Sequence, residues 1–443
     1  MNCITDYRLE NFILGLQWEK LPCEVQDRLR GCFTDLLGAI VTGSRSETFE
    51  AGLKLAKKLS LPGDVPVIGS SETFSVDGAA AVMGHASNAY DIDDGHNMIR
   101  AHPGTSFIGG ILAEALARDL RLTELLTALD AAYETAIRSG IAILDYYQFG
   151  HLSGTIGAVG IAAGVGKLRG YTKEQLNNAL SVAEFNAPLA PGILSVEYPS
   201  MNKDGVPFGV MIGMLALRAA ESGFIGNKNL LEAEEYRYLT DDLGETWRVM
   251  ELYFKPYPCC RWDHAPIKAV LTLRKEYDLK PEDVASCEIH TFERATRLSK
   301  MIPVHADEAQ YNIAYPVAAA LVRGAYGFAE LRKEAFEDPE IHEMMTRLSF
   351  HADPELNAVF PGKRLCYAVL KTKDGRTLRS ELCEPEGEAK DHIGREWLSD
   401  KFRRMTAGLL APEAQEETLR LVFTEDPPVR KIISLINESL VKA

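Results

Sequence analysis

The sequence predicts a mainly α fold with a smaller α+β domain, and three observations carry that expectation. Apolar residues recur at helical spacing from the start of the chain to about residue 250. Between residues 256 and 393, strand-like alternation and an Asp-Gly turn signal interrupt the helical pattern. Helical spacing returns from residue 394. With 443 residues the chain exceeds one small domain and suits two or three compact units, divided here as 1–255, 256–393 and 394–443.

Leu9, Phe12, Ile13 and Leu16 share a helical face, and beyond Pro22 the set Val25, Leu29, Cys32, Phe33, Leu36, Leu37 and Ile40 repeats the spacing as far as Gly43. The chain therefore opens with a helical hairpin. A short strand is expected over 65–68, then helices over 77–89, 109–118, 123–140 and 154–168, several carrying Gly and Ala where backbones can approach closely. Thr172 and Gln175 form a capping box that starts a helix to about Glu184, and 211–221 adds another. After Pro256-Tyr257-Pro258 comes a helix over 265–276. Cys287, Ile289 and Thr291 then alternate with Glu288 and His290 as in a half-buried strand, and 365–371 and 377–382 flank Asp374-Gly375 as a hairpin. Helices over 316–324 and 339–348 make this part α+β. The last helices, 397–409, 412–423 and 428–440, either form their own unit or fold back on the first.

Hydrophobic residues at 46% and charged residues at 25% allow a sizeable core. A net charge of -15 repels nucleic acid and anionic membranes, although a small anion can still enter a local basic pocket. The eight cysteines lack CxxC spacing and read as reduced thiols. Residues 1–10 carry no basic-then-apolar leader pattern, and no apolar run reaches ~18 residues. A cytoplasmic location with no membrane partner is expected.

The densest polar cluster is Asp91-Ile92-Asp93-Asp94-Gly95-His96 followed by Arg100-Ala101-His102-Pro103-Gly104. If the preceding helix continues, Asp91 and Asp94 share a face, and their repulsion raises the proton affinity of one, which suits general acid or base work. The alternative is a solvated helix end whose aspartates accept backbone N–H groups. Lys203, in Ser200-Met201-Asn202-Lys203, can clamp a carboxylate or be a plain surface lysine. In Lys255-Pro256-Tyr257-Pro258-Cys259-Cys260-Arg261-Trp262-Asp263-His264, the histidine opens a helix whose dipole favours a neutral imidazole; it serves as a base or as a structural residue. Gly150-His151 opens a Gly-rich helix. There is no GxGxxG after a strand, no Walker lysine and no GxSxG elbow. One rival scheme pairs Asp91 to Asp94 with Asp241-Asp242 as magnesium-binding motifs of a diphosphate enzyme.

These motifs, with Ala309-Gln310-Tyr311-Asn312, stand in the order in which they occur in the MmgE/PrpD family, and the chain resembles that family over nearly its whole length. Its members include 2-methylcitrate dehydratase, cis-aconitate decarboxylase and iminodisuccinate epimerase. The resemblance implies a large all-α domain built from both ends of the chain, an inserted α+β lid, a homodimer, and catalysis with no metal or organic cofactor. It assigns Asp91, His102, Lys203 and His264 to the catalytic cluster. Arg100, His151, Asp94, His96, Arg261 and Tyr311 are expected at the substrate, with Lys203 and Arg100 on its carboxylates. Where relatives carry threonine after the Asp-Asp pair this chain has Gly95, and Val206 replaces a histidine found in several members. Both changes weigh against methylcitrate or cis-aconitate as substrate.

The function expected is a lyase or isomerase that forms a carbanion beside a carboxylate of a small di- or tricarboxylate. A hydro-lyase related to methylcitrate dehydratase leads, ahead of an epimerase or a decarboxylase. A magnesium-dependent enzyme and a non-catalytic helical binding protein are the readings of other classes. Lys203 and His264 are expected to line a cleft, so that alanine at either removes turnover without harming the fold.

Overall fold

The computed structural model describes residues 6–59, 62–148, 151–189 and 191–441. The opening hairpin is Arg8–Gly15 and Cys23–Gly43. Two short strands, β1 (Val65–Pro66) and β2 (Thr73–Phe74), pair antiparallel before the helix Val76–Ser87. Helices Pro103–Ala117, Leu122–Tyr146, Ser153–Arg169, Lys173–Asn186 and Val206–Glu221 then pack on one another.

Several of these helices begin earlier than apolar spacing predicts. Pro103-Gly104-Thr105-Ser106 and Val206-Pro207 show no amphipathic rhythm, yet proline is tolerated in a first turn because its missing N–H would find no intrahelical partner there. Conversely, the helix before the aspartate run stops at Ser87, and Asp91 has φ 50°, in the left-handed region. Asp91 and Asp94 therefore lie on a loop and not on one helical face, which corrects the i,i+3 expectation. Small residues set the helix spacing. A Cβ on Gly209 would fall 2.2 Å from the carbonyl oxygen of Gly154, so the helices Ser153–Arg169 and Val206–Glu221 meet backbone to backbone.

The α+β part follows. Strands β3 (Val284–Thr291), β4 (Leu348–Ala352), β5 (Cys366–Thr372) and β6 (Thr377–Arg379) form a sheet of order β4-β3-β5-β6. The β3–β4 pair is parallel and the other two pairs are antiparallel. Helices His264–Glu276 and Ala314–Arg323 share its core, where Ile267, Val270, Ile289, Val317 and Ala368 are buried. Spacing missed β4, because this edge strand has no fully buried position and so no alternation to read.

The C-terminal helices are Arg395–Thr406, Pro412–Thr424 and Val429–Ser439. Leu398, Phe402, Val422 and Ile432 join Leu29, Phe33 and Leu36 in the helical core. Lys401 brings a buried ammonium to Asp35 and donates to the carbonyl of Ile92, 2.6 Å away, so a C-terminal helix also holds the aspartate loop. The two separate cores suit the division near residues 255 and 394, which we propose as domain boundaries. Among the described residues, no helix is long and apolar enough to cross a membrane.

Candidate active site

Three helix starts converge. His102 is the residue before Pro103–Ala117, His151 lies two residues before Ser153–Arg169, and Lys203-Asp204-Gly205 leads into Val206–Glu221. The backbone N–H of His102 donates to Ser153 Oγ (2.9 Å), and that of Gly154 donates to the carbonyl of Asp204 (2.9 Å), so the three starts are bonded together. Their unpaired N–H groups and dipoles favour negative charge nearby. Gly150 lies outside the described residues.

Beside this junction is a cavity of about 510 Å³ whose lining includes His151, Ser195, Ser200, Asn202, Lys203 and Asp204. His102 stacks on His151 at 5.5 Å between ring centroids, and Asp91 and Tyr311 lie close to the same groups. Three residues of this region, Asp91, Arg100 and Lys203, have left-handed backbones (φ 50°, 50° and 48°). Such conformations are costly for residues with a Cβ and concentrate where function fixes the chain.

Each cation has a carboxylate. Lys255, fully buried, places Nζ 2.7 Å from Asp91 Oδ1 and donates to the Asp91 carbonyl (2.9 Å). Burial alone would push Asp91 up, but Lys255, then His102 and Lys203, hold it below the usual carboxylate range. Lys203 Nζ is 2.8 Å from Asp307 Oδ1, donates to Gln310 Oε1, and lies 5.8 Å from the Tyr311 ring centroid. His102 Nδ1 is 2.8 Å from the Asp94 carbonyl and 3.2 Å from Asp93 Oδ2, while Nε2 is 3.4 Å from Asp91 Oδ1. Burial and Lys255 disfavour its imidazolium; Asp93 and Asp91 outweigh them and raise it to about 9. His151 goes the other way, lowered by burial despite Asp204. The stacked pair thus holds one charged and one neutral ring at neutral pH.

Other expected residues sit elsewhere. Asp94 accepts from the Tyr133 hydroxyl and from the Gly104 N–H (2.9 Å); burial raises it to about 7. Gly104 is obligatory there, since a Cβ would stand 2.3 Å from Asp94 Oδ2. His96 Nε2 pairs with Glu251 (2.9 Å). Arg100 is exposed and donates to the Gln148 carbonyl (2.9 Å). Arg261 pairs with Glu388 (2.7 Å) and donates to the Glu386 carbonyl. None of these four lines the cavity. His264 opens its helix as expected but is fully buried, with Nε2 3.2 Å from the Cys259 carbonyl and Nδ1 3.5 Å from Arg261 Nη1. Burial and Arg261 keep it neutral. Lys203 lines the cavity as expected, whereas His264 is a packed group away from it, and alanine there disturbs the interior, contrary to the expectation from sequence.

Sequence reading missed Asp204, Asp307 and the role of Lys255. Lys255 opens one of the motifs and Asp204 directly follows another, but no spacing reveals that Lys255 reaches back 164 residues to Asp91. Two sets could hold a metal ion: His102 with His151 and Asp204, and Asp91 with Asp93 and His102. Both need His102 neutral, and Lys255 already supplies positive charge at Asp91. Asp241 pairs with Arg8 and Arg237, and Asp242 with Arg138 (2.7 Å) and Arg248 (3.3 Å), so the acidic motif of the magnesium scheme is occupied by arginines.

The sequence matches the MmgE/PrpD N-terminal domain over residues 7–240 and the MmgE/PrpD C-terminal domain over residues 257–424. It is similar to the cis-aconitate decarboxylase-like protein oryM of Aspergillus oryzae (strain ATCC 42149 / RIB 40), 23% identical over 97% of this chain and 96% of that protein. A cis-aconitate decarboxylase of Aspergillus terreus (strain NIH 2624 / FGSC A1156) is 22% identical, covering 96% and 94%. The chain belongs to the MmgE/PrpD family.

Proposed function

We propose that the protein is a lyase or isomerase that makes a carbanion next to a carboxylate of a small carboxylic acid, using side chains alone. The observation that carries this reading is the stacked imidazole pair, His102 raised to about 9 and His151 lowered, because neighbouring groups pushed apart in proton affinity divide into an acid and a base. Neutral His151, on the cavity wall, takes a proton from the carbon beside the carboxylate. Lys203, whose ammonium has three donors, keeps Gln310 and Asp307 and offers the third to a carboxylate oxygen where enolate charge develops. Protonated His102 then supplies a proton to the departing group.

Loss of hydroxide with that proton is dehydration, our first reading. In decarboxylation, for which the relatives are named, no proton is removed first: loss of carbon dioxide itself leaves the electron pair on the carbon, and a protonated side chain such as His102 then supplies the proton to that carbon. Return of the proton to the opposite face is epimerisation. Incubation with hydroxy- and unsaturated di- and tricarboxylic acids in heavy water, followed by proton NMR, separates them. Alkene formation supports dehydration, deuterium in recovered acid without alkene supports epimerisation, and loss of a carboxyl group supports decarboxylation. An unchanged acid in every case, with no alkene, no deuterium incorporated and no carboxyl group lost, refutes the reading.

We also propose a homodimer. Phe185, Tyr198, Phe208, Leu215, Phe224 and Ile225 are exposed large apolar residues on neighbouring segments of the helical part, more than a solitary surface usually shows. Light scattering giving the mass of one chain would refute it.

A further inference from the structure

A neutral imidazole has one bare nitrogen out of two, and only that nitrogen can take a proton from carbon. The two nitrogens of His151 stand in different surroundings. Nδ1 is 3.2 Å from Ser153 Oγ and 3.3 Å from Asp204 Oδ2, whereas Nε2 makes no hydrogen bond among the described residues. Ser153 does not choose between the tautomers, because a hydroxyl either donates or accepts, and its oxygen already accepts the His102 backbone N–H (2.9 Å). Asp204 does choose. A carboxylate can only accept, so a lone pair on Nδ1 would face it with like charge, while an Nδ1–H would satisfy it.

Asp204 has the matching need. Its side chain is 2% exposed, and among the described residues neither oxygen accepts a hydrogen bond, a costly state for a buried carboxylate. The other imidazole nearby, at His102, has its Nε2 3.9 Å from Asp204 Oδ2 and closer to Asp91 Oδ1, at 3.4 Å. The Asp204 backbone is held in place as well, since its carbonyl accepts the Gly154 N–H (2.9 Å), one residue beyond Ser153.

We infer that Asp204 is a positioning residue: its carboxylate takes the Nδ1–H of His151 and thereby fixes the tautomer in which Nε2 carries the lone pair that accepts the proton from carbon. Ser153, bonded to the His102 backbone, keeps the ring from turning Nδ1 toward the cavity. The role given to His151 rests on the carbanion reading, but the tautomer is a property of the resting protein and is read without turnover.

The test is nitrogen-15 NMR of the full chain carrying labelled histidine, with His151→Gln used to identify the signal. The unaltered protein is expected to show a protonated Nδ1 and a bare Nε2. In Asp204→Ala the ring should return to the preference of a free histidine side chain, with Nε2–H the major form, and kcat should fall at least tenfold while KM changes less than threefold. A protonated Nε2 in the unaltered protein, on a neutral or a charged ring, overturns the inference, as does a variant whose Nε2 stays bare or whose loss lies in KM alone. Because the first measurement needs no variant, a misfolded Asp204→Ala does not shelter the idea. A bare Nε2 in a protein that transforms no acid and exchanges no deuterium would refute the carbanion reading and leave the tautomer assignment standing; transformation by a protein with Nε2–H would do the reverse.

Discussion

Replacing Lys255 by methionine removes one ammonium and leaves Asp91 buried with Lys255's two contacts gone, the 2.7 Å ion pair and the 2.9 Å bond to the Asp91 carbonyl. Breaking a buried pair from one side costs about 3–5 kcal/mol when the remaining charge is left uncompensated, and here only the longer 3.4 Å contact to His102 faces Asp91 Oδ1, so the cost lies toward the lower end. For 443 residues the unfolding entropy is about 0.9 kcal/mol/K, so the melting temperature should fall by about 3–5 °C. Two effects on chemistry accompany this. Asp91 loses the main group holding its proton affinity down, and His102 loses a cation that disfavours its imidazolium. Turnover should fall at least a hundredfold. The double variant Lys255→Met with Asp91→Asn removes both charges, and asparagine tolerates the left-handed backbone at this position. It should regain most of the lost stability and remain inactive. Calorimetry and a turnover assay on the three proteins check this. A single variant that melts normally, or a double variant that recovers activity together with stability, would refute the claim that the pair sets the charge of the site.

The His102 ring gives a pH signature. Its folded value of about 9 lies above the ordinary ~6.5, so its interactions stabilise fully below pH 6.5 and their contribution, at most about 3 kcal/mol, is lost as pH rises through 9. Thermal stability should drop between pH 7 and 9.5, and less so in His102→Gln; identical profiles would contradict the assignment. Gly104→Ala forces a Cβ to 2.3 Å from Asp94 Oδ2 and the Tyr133 hydroxyl, so about 1–3 kcal/mol of stability should be lost, read by urea unfolding. Chelator treatment and Asp241→Asn should leave turnover within twofold, and loss of activity with either, restored by magnesium, would favour a metal enzyme.

Much of the helical part was legible because packed helices must carry apolar faces, and Leu29, Phe33 and Leu36 mark one such face plainly. The starts of helices were not. The residues that matter most, His102-Pro103-Gly104 and Lys203-Asp204-Gly205, sit where apolar rhythm has not begun, and their meaning comes from three separate starts being bonded together. Residue type identified His102, Lys203 and Asp91 as chemically apt. It could not tell Arg100, drawn outward to Gln148, from Lys255, drawn inward to Asp91, since both are cations near motif residues. His264 shows the same limit: a histidine at a helix start reads alike whether it faces a cavity or the Cys259 carbonyl.

The most direct test is an experimental structure with a di- or tricarboxylic acid bound. The acid should lie in the cavity beside His151, with a carboxylate oxygen within hydrogen-bond reach of Lys203 Nζ and the carbon next to it about 3–3.5 Å from a ring nitrogen of His151. An acid held instead by Arg100 at the surface, with Lys203 contacting only Asp307 and Gln310, would contradict the account.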